Sequence, residues 1–138
     1  MTTIAPASPA GTVTEERRAS IAVVDDDSGF SGYLRTFLAL RGYEARSYTR
    51  GDEIVAAIRQ GEPPDIVLLD VAMPGMSGPE LQQELIRRQQ DIPIVFITAN
   101  GDKTIRPRLL AQGAAECLFK PFSEAALLDA LDAALRMR

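Results

Sequence analysis

Short apolar runs along this chain each end on a polar or charged residue. Ile21-Ala22-Val23-Val24 runs into Asp25 and Asp26, Ile66-Val67-Leu68-Leu69 into Asp70, Ile94-Val95-Phe96-Ile97 into Thr98, and Cys117-Leu118-Phe119 into Lys120. Runs this short and this purely apolar predict strands buried on both faces. Amphipathic stretches separate them, the signature of a βα series around a parallel sheet. Leu34, Phe37 and Leu38 share one helical face opposite charge such as Arg41, and Gly42 stops that helix. Tyr43 to Tyr48 is mixed and polar, which predicts an edge strand. Ile54, Val55 and Ile58 predict a short helix closed by Gly61 and Pro63-Pro64.

Local signals place the later helices. Ser77-Gly78-Pro79-Glu80 is a capping box, with Ser77 as N-cap and Glu80 reaching back, opening a helix with an apolar stripe of Leu81, Leu85 and Ile86. Ser123 is expected to cap the last helix, whose stripe is Leu127, Leu128, Leu131 and Leu135. Pro107 cannot donate inside a helix, so the helix after Thr98 is expected to begin late, near Arg106, behind a loop from Ala99 to Ile105. Met1 to Arg18 is rich in Thr, Ala, Pro and Ser and reads as a flexible tail before a single domain over residues 19–138.

Composition narrows the function. Of 138 residues, 46% are hydrophobic and 25% charged, the balance of one soluble globular domain. A net charge of −4 argues against direct DNA binding, which needs a basic face. No apolar stretch is long enough to insert in a membrane, and Met1 to Pro9 lacks the regions of a signal peptide, so a cytoplasmic location is expected. With one cysteine and no histidine, an intrachain disulfide, a zinc site and histidine catalysis are all excluded.

In a parallel sheet the carboxyl ends of the strands share one rim, where ligands bind. Asp25, Asp26, Asp70, Thr98 and Lys120 all fall on that rim. Individually each has an ordinary explanation. Acids after a strand cap the next helix, a role Asp27 or Ser28 fills equally well; Asp70 can form a turn; Thr98 can end a strand; a lysine at a strand end is usually a surface group. Together they need another explanation. Like charges about 4 Å apart repel by roughly 4 kcal/mol at an effective dielectric of about 20. Such a cluster calls for a cation, and Mg²⁺ suits a hard, all-oxygen site.

The segments Val23-Val24-Asp25-Asp26-Asp27, Leu68-Leu69-Asp70-Val71-Ala72-Met73-Pro74-Gly75-Met76-Ser77-Gly78, Phe96-Ile97-Thr98-Ala99 and Phe119-Lys120-Pro121-Phe122 resemble the receiver domain of two-component response regulators, most closely those of the FixJ type. The resemblance covers nearly the whole chain after Ala19. It implies a flavodoxin-like (βα)5 doubly wound parallel sheet of order 2-1-3-4-5. It also implies a phosphoryl group moving to Asp70 from a histidine kinase or phosphotransfer protein. By the same resemblance, Asp25, Asp26, Asp70 and the backbone carbonyl of Ala72 hold Mg²⁺, with Asp25 acting largely through water. Thr98, Ala99 and Lys120 contact the phosphoryl group, and the Lys120–Pro121 peptide is cis. Thr98 is one half of the switch. The other half is usually aromatic, and here that position is Cys117. Ala72 and Asn100 occupy positions that tune phosphoryl lifetime in receivers.

Because the sequence ends after the last helix, a stand-alone receiver is expected, acting on a downstream protein partner or serving as a phosphoryl shuttle or sink. It would catalyse only its own phosphorylation and slow dephosphorylation. An aspartyl-nucleophile phosphatase is a further reading. Many such enzymes carry a second acid two residues after the nucleophile, where this chain has Ala72. A flavodoxin-like electron carrier would need a phosphate-binding first loop, which Asp25-Asp26-Asp27 would repel.

Overall fold

In a computed structural model, residues 18–99 and 101–137 are described. The tail expected over Met1–Arg18 lies, apart from Arg18, outside the described residues, and so does Asn100. The elements alternate strictly: β1 (Ser20–Val24), α1 (Ser28–Leu40), β2 (Glu44–Tyr48), α2 (Gly51–Arg59), β3 (Ile66–Asp70), α3 (Gly78–Arg87), β4 (Ile94–Thr98), α4 (Ile105–Ala111), β5 (Glu116–Phe119) and α5 (Glu124–Arg136). The strands form one five-stranded sheet in the order β2-β1-β3-β4-β5, with every neighbouring pair parallel. This is the doubly wound flavodoxin-like architecture expected of the sequence.

The purely apolar strands follow from burial on both faces. Alternate residues of β1, β3 and β4 point to opposite sides, as the pleat requires. Ile21, Val23, Ile66, Leu68, Val95 and Ile97 pack with Leu34, Phe37 and Leu38 of α1 and Leu127 and Leu131 of α5. Ala22, Val24, Val67, Leu69 and Phe96 pack with Ile54 and Val55 of α2, Leu81 and Leu85 of α3, and Leu109 of α4. The polar β2 lies at the sheet's edge and carries no fully buried residue. Edge charges such as Glu44 and Arg46 suit that position, since they discourage further strand pairing.

The capping signals give the expected ends. Asp27 is the N-cap of α1, its side chain accepting from the Phe30 N–H. Ser77 and Glu80 form the reciprocal capping box of α3, at 3.3 and 2.8 Å, and Ser123 accepts from the Ala126 N–H at 3.0 Å. Gly42, at φ +92°, turns the chain out of α1 in a left-handed conformation that costs a glycine little.

Three details depart from the sequence pattern. The edge strand begins at Glu44 rather than Tyr43. Helix α4 begins at Ile105, one residue before the expected start, with Pro107 its third residue. The first amides of a helix have no acceptor within it, so a proline there sacrifices no hydrogen bond. In α3 the buried face runs through Leu81, Gln82 and Leu85, while Ile86 is 54% exposed. Gln82 takes an interior position, where its amide nitrogen donates to the Gln112 carbonyl at 3.2 Å.

Candidate functional site

The carboxyl ends of β1, β3, β4 and β5 bring the polar rim together. Asp25 directly follows β1, and its amide continues the ladder by donating to the Tyr48 carbonyl at 3.0 Å. Its side chain is 1% exposed. One carboxylate oxygen accepts from the Asp27 N–H at 2.9 Å, and the other from the Lys120 ammonium, also at 2.9 Å. Asp26, next in sequence, is exposed. Asp70 closes β3 and is 8% exposed. Its carboxylate accepts from the Ala72 N–H at 3.3 Å.

Oxygens of Asp25, Asp26 and Asp70 lie within 4.8 Å of one another. Burial raises the Asp70 carboxyl to about 6, the neighbouring Asp25 charge adds to the rise, and the Ala72 amide, then Lys120, oppose it. An all-oxygen trio with one member held this far from its ordinary acidity fits a hard divalent cation such as Mg²⁺.

Thr98 ends β4 and is 2% exposed. Asp70 is in register with Ile97, and Thr98 with Phe119, which places Thr98 one step beyond Asp70 and Lys120 one step beyond Thr98 on adjoining strands. The Lys120 amide donates to the Thr98 carbonyl at 2.8 Å, joining the two directly. Ala99 follows, exposed. The Lys120–Pro121 peptide is cis. Ala72 is also exposed, its amide turned to Asp70.

Cys117 sits below the rim. It is 2% exposed, pairs in register with Phe96, and shares the core of α2, α3 and α4 with Leu109 and Ala114. Burial pushes its thiol up. The adjoining Glu116 binds Arg106 of α4 at 2.7 Å and also accepts from the Cys117 amide at 2.9 Å.

Two features of the site escape a reading of the sequence alone. The Lys120 ammonium lies over the ring of Phe30, 4.1 Å from its centroid. The signal for it is an aromatic residue in the otherwise polar first turn of α1. The second is the fit of Gly78 against Asp70. A Cβ at Gly78 would stand 2.5 Å from the Asp70 carbonyl oxygen and 3.0 Å from Phe96. The Gly78 amide donates to the Val71 carbonyl at 3.0 Å, closing the loop that follows Asp70.

The fold and its site define a class: doubly wound α/β domains with an acidic trio and a lysine on the carboxyl rim of the sheet. Comparison with known proteins narrows that class. The model of the response regulator receiver domain matches residues 21–132, and the chain belongs to that family. It is 42% identical over 119 residues to the phosphate regulon transcriptional regulatory protein PhoB of Rhizobium meliloti, covering 84% of this chain and 52% of that one. The response regulator StyR shares 41% identity at a TM-score of 0.78, over 87% of this chain and 60% of that one. A response regulator receiver protein from Burkholderia phymatum shares 36% identity at a TM-score of 0.77, over 86% of this chain and 96% of that one. The chain spans about half the length of the curated relatives it matches. No helix of the described residues is long and apolar enough to cross a membrane.

Proposed function

We propose that residues 19–138 act as a phosphoacceptor in two-component signalling, taking a phosphoryl group on Asp70 from a histidine kinase or phosphotransfer protein. The observation that carries this reading is the meeting of Asp25, Asp26 and Asp70 beside the Lys120 ammonium. Asp25, Asp26, Asp70 and the Ala72 carbonyl would hold Mg²⁺. When bound, the ion supplies charge neutralisation for the phosphoryl oxygens.

The chain's own groups do the rest. An Asp70 oxygen attacks phosphorus, the donor's P–N bond breaks, and its electron pair returns to the imidazole nitrogen, leaving an acyl phosphate on Asp70. Asp70 must be ionised to attack; burial opposes the ionised form, and the Lys120 charge beside it favours that form. Lys120 provides a mobile point charge for a phosphoryl oxygen. The Thr98 hydroxyl turns to a second oxygen, and the small side chain of Ala99 leaves the donor's imidazole room to approach. The new charge shifts an existing equilibrium in the Thr98 loop and α4. Arg106 and Glu116 tie α4 to β5 around Cys117 and lie where that shift reaches the surface. A downstream protein reads it there, or the phosphoryl group passes onward. The site operates in the cytoplasm, where histidine kinases keep their phosphoryl donors.

The test is labelling by a small acyl phosphate donor in Mg²⁺. Asp70→Asn is expected to abolish it. Asp27→Asn keeps a good N-cap and is expected to leave it intact. Label on Asp70→Asn at the wild-type level overturns the assignment.

A further inference from the structure

We propose that Phe30 is a positioning residue for Lys120: its ring face, together with the Asp25 carboxylate, holds the ammonium in place for a phosphoryl oxygen on Asp70. The inference rests on the phosphoacceptor reading of Asp70. A lysine head rides on a four-carbon stem, and fixing it costs conformational entropy that a site must offset. Here the ammonium meets Asp25 Oδ2 at 2.9 Å and the Phe30 ring at 4.1 Å. The negative face of an aromatic ring attracts a cation most strongly where water is scarce, and Phe30 is partly buried and Lys120 only 21% exposed.

The ring is itself braced. Phe122 stands edge-on to it, with centroids 6.0 Å apart and planes at 82°. This is a favourable aromatic arrangement. Phe122 lies two residues after Lys120, so the segment that carries the lysine also carries the support of its aromatic contact. Asp27 caps α1 through the Phe30 amide at 3.1 Å, which fixes the backbone from which the ring projects. An aliphatic side chain at position 30 would still pack against Phe122, but it would present no π face to the ammonium.

The experiment uses the full chain and an acyl phosphate donor in Mg²⁺, with phosphoryl gain followed by intact-mass spectrometry. Phe30→Leu is expected to slow labelling about fivefold, and Phe30→Tyr, which keeps the ring face, to stay within about twofold of wild type. In a Lys120→Met background Phe30→Leu is expected to add nothing, because a residue acting through the lysine has no effect without it. A loss from general weakening of the fold would persist in that background and would overturn the proposal, as would wild-type rates for Phe30→Leu. A second readout needs neither Mg²⁺ nor donor. The Lys120 ε-methylene protons are expected upfield of their ordinary position in wild type and Phe30→Tyr, and at the ordinary position in Phe30→Leu. Ordinary shifts in wild type overturn the geometry. If the wild-type upfield shift is present but Asp70 takes no label, the phosphoacceptor reading fails, and the positioning role with it. If wild type labels on Asp70 while the Phe30 variants are indifferent, only the role of Phe30 fails.

Discussion

Lys120 and Asp25 form an ion pair at 2.9 Å although they are 95 residues apart and leave from strands with two others between them. The pair therefore reaches over the ends of β3 and β4, and Asp70 lies on β3 beneath it. Asp25 is nearly inaccessible, so Lys120 compensates a charge that water cannot. Lys120→Met is expected to lower stability in chelator by about 1–3 kcal/mol, measured by urea unfolding. It is also expected to bind Mg²⁺ at least as tightly as wild type by titration calorimetry, because a cation and the ammonium neutralise the same acids. Weaker binding would mean that the lysine builds the cation site rather than sharing its charge.

Asp70 gives the site a pH dependence of definite sign. Folding lifts its carboxyl to about 6, mainly by burial and then by the Asp25 charge. Below the unfolded value the group is neutral in both states and folding loses nothing. As the pH rises through the folded value, the buried carboxylate ionises in an unfavourable place and stability falls. In chelator, Asp70→Asn should therefore be more stable than wild type by about 1–2 kcal/mol near neutral pH, after allowance for partial solvent access. The gap should close as the pH falls toward about 4. Urea midpoints of the two proteins across pH would show it, and a gap that widened on acidification would contradict the sign.

Mg²⁺ should reverse that ranking. Two or more carboxylates on one cation raise wild-type stability by mass action. Thermal melts are expected to shift upward with Mg²⁺ for wild type and far less for Asp26→Asn and Asp70→Asn. Equal shifts in all three would place the ion elsewhere.

Gly78 shows how tightly the loop after Asp70 is drawn. Its missing Cβ would lie 2.5 Å from the Asp70 carbonyl oxygen and 3.1 Å from the Val71 Cα, both backbone atoms of the very segment that presents the carboxylate. Backbone cannot swing aside as a long side chain can. Gly78→Ala is expected to cost about 2–3 kcal/mol in unfolding and to slow Asp70 labelling at least several-fold. A variant as stable and as active as wild type would show that the loop has slack that these contacts do not suggest.

The rim was legible because each of its residues ends an apolar run. Val24 before Asp25, Leu69 before Asp70 and Ile97 before Thr98 mark buried strands, and parallel strands align their carboxyl ends. The capping signals at Ser77 and Ser123 were equally local and gave the correct helix starts. What the pattern did not carry was helix rotation. Polarity alone puts Ile86 inside and Gln82 outside; in the structure Ile86 is 54% exposed and Gln82 is buried, its amide donating to the Gln112 carbonyl thirty residues away. Phe30 was hidden for the same reason, since its contact with Lys120 depends on how α1 faces the end of β5.

Cys117 lies in the core beneath the rim, and its surroundings set its chemistry. It is 2% exposed, and burial holds its thiol above the ordinary range, so both access and thiolate fraction are low. Arg106 pulls the thiol the other way, but its guanidinium is already paired with Glu116 at 2.7 Å. Alkylation by iodoacetamide in the native protein is therefore expected to be slower than in urea by about a hundredfold or more, since it must wait for an opening of the core. The rate should fall further with added Mg²⁺ if binding at the rim tightens the same cooperative unit. Labelling of the folded protein at the unfolded rate would show that the region between α4 and β5 opens freely and leaves the Cys117 thiol within reach of reagents.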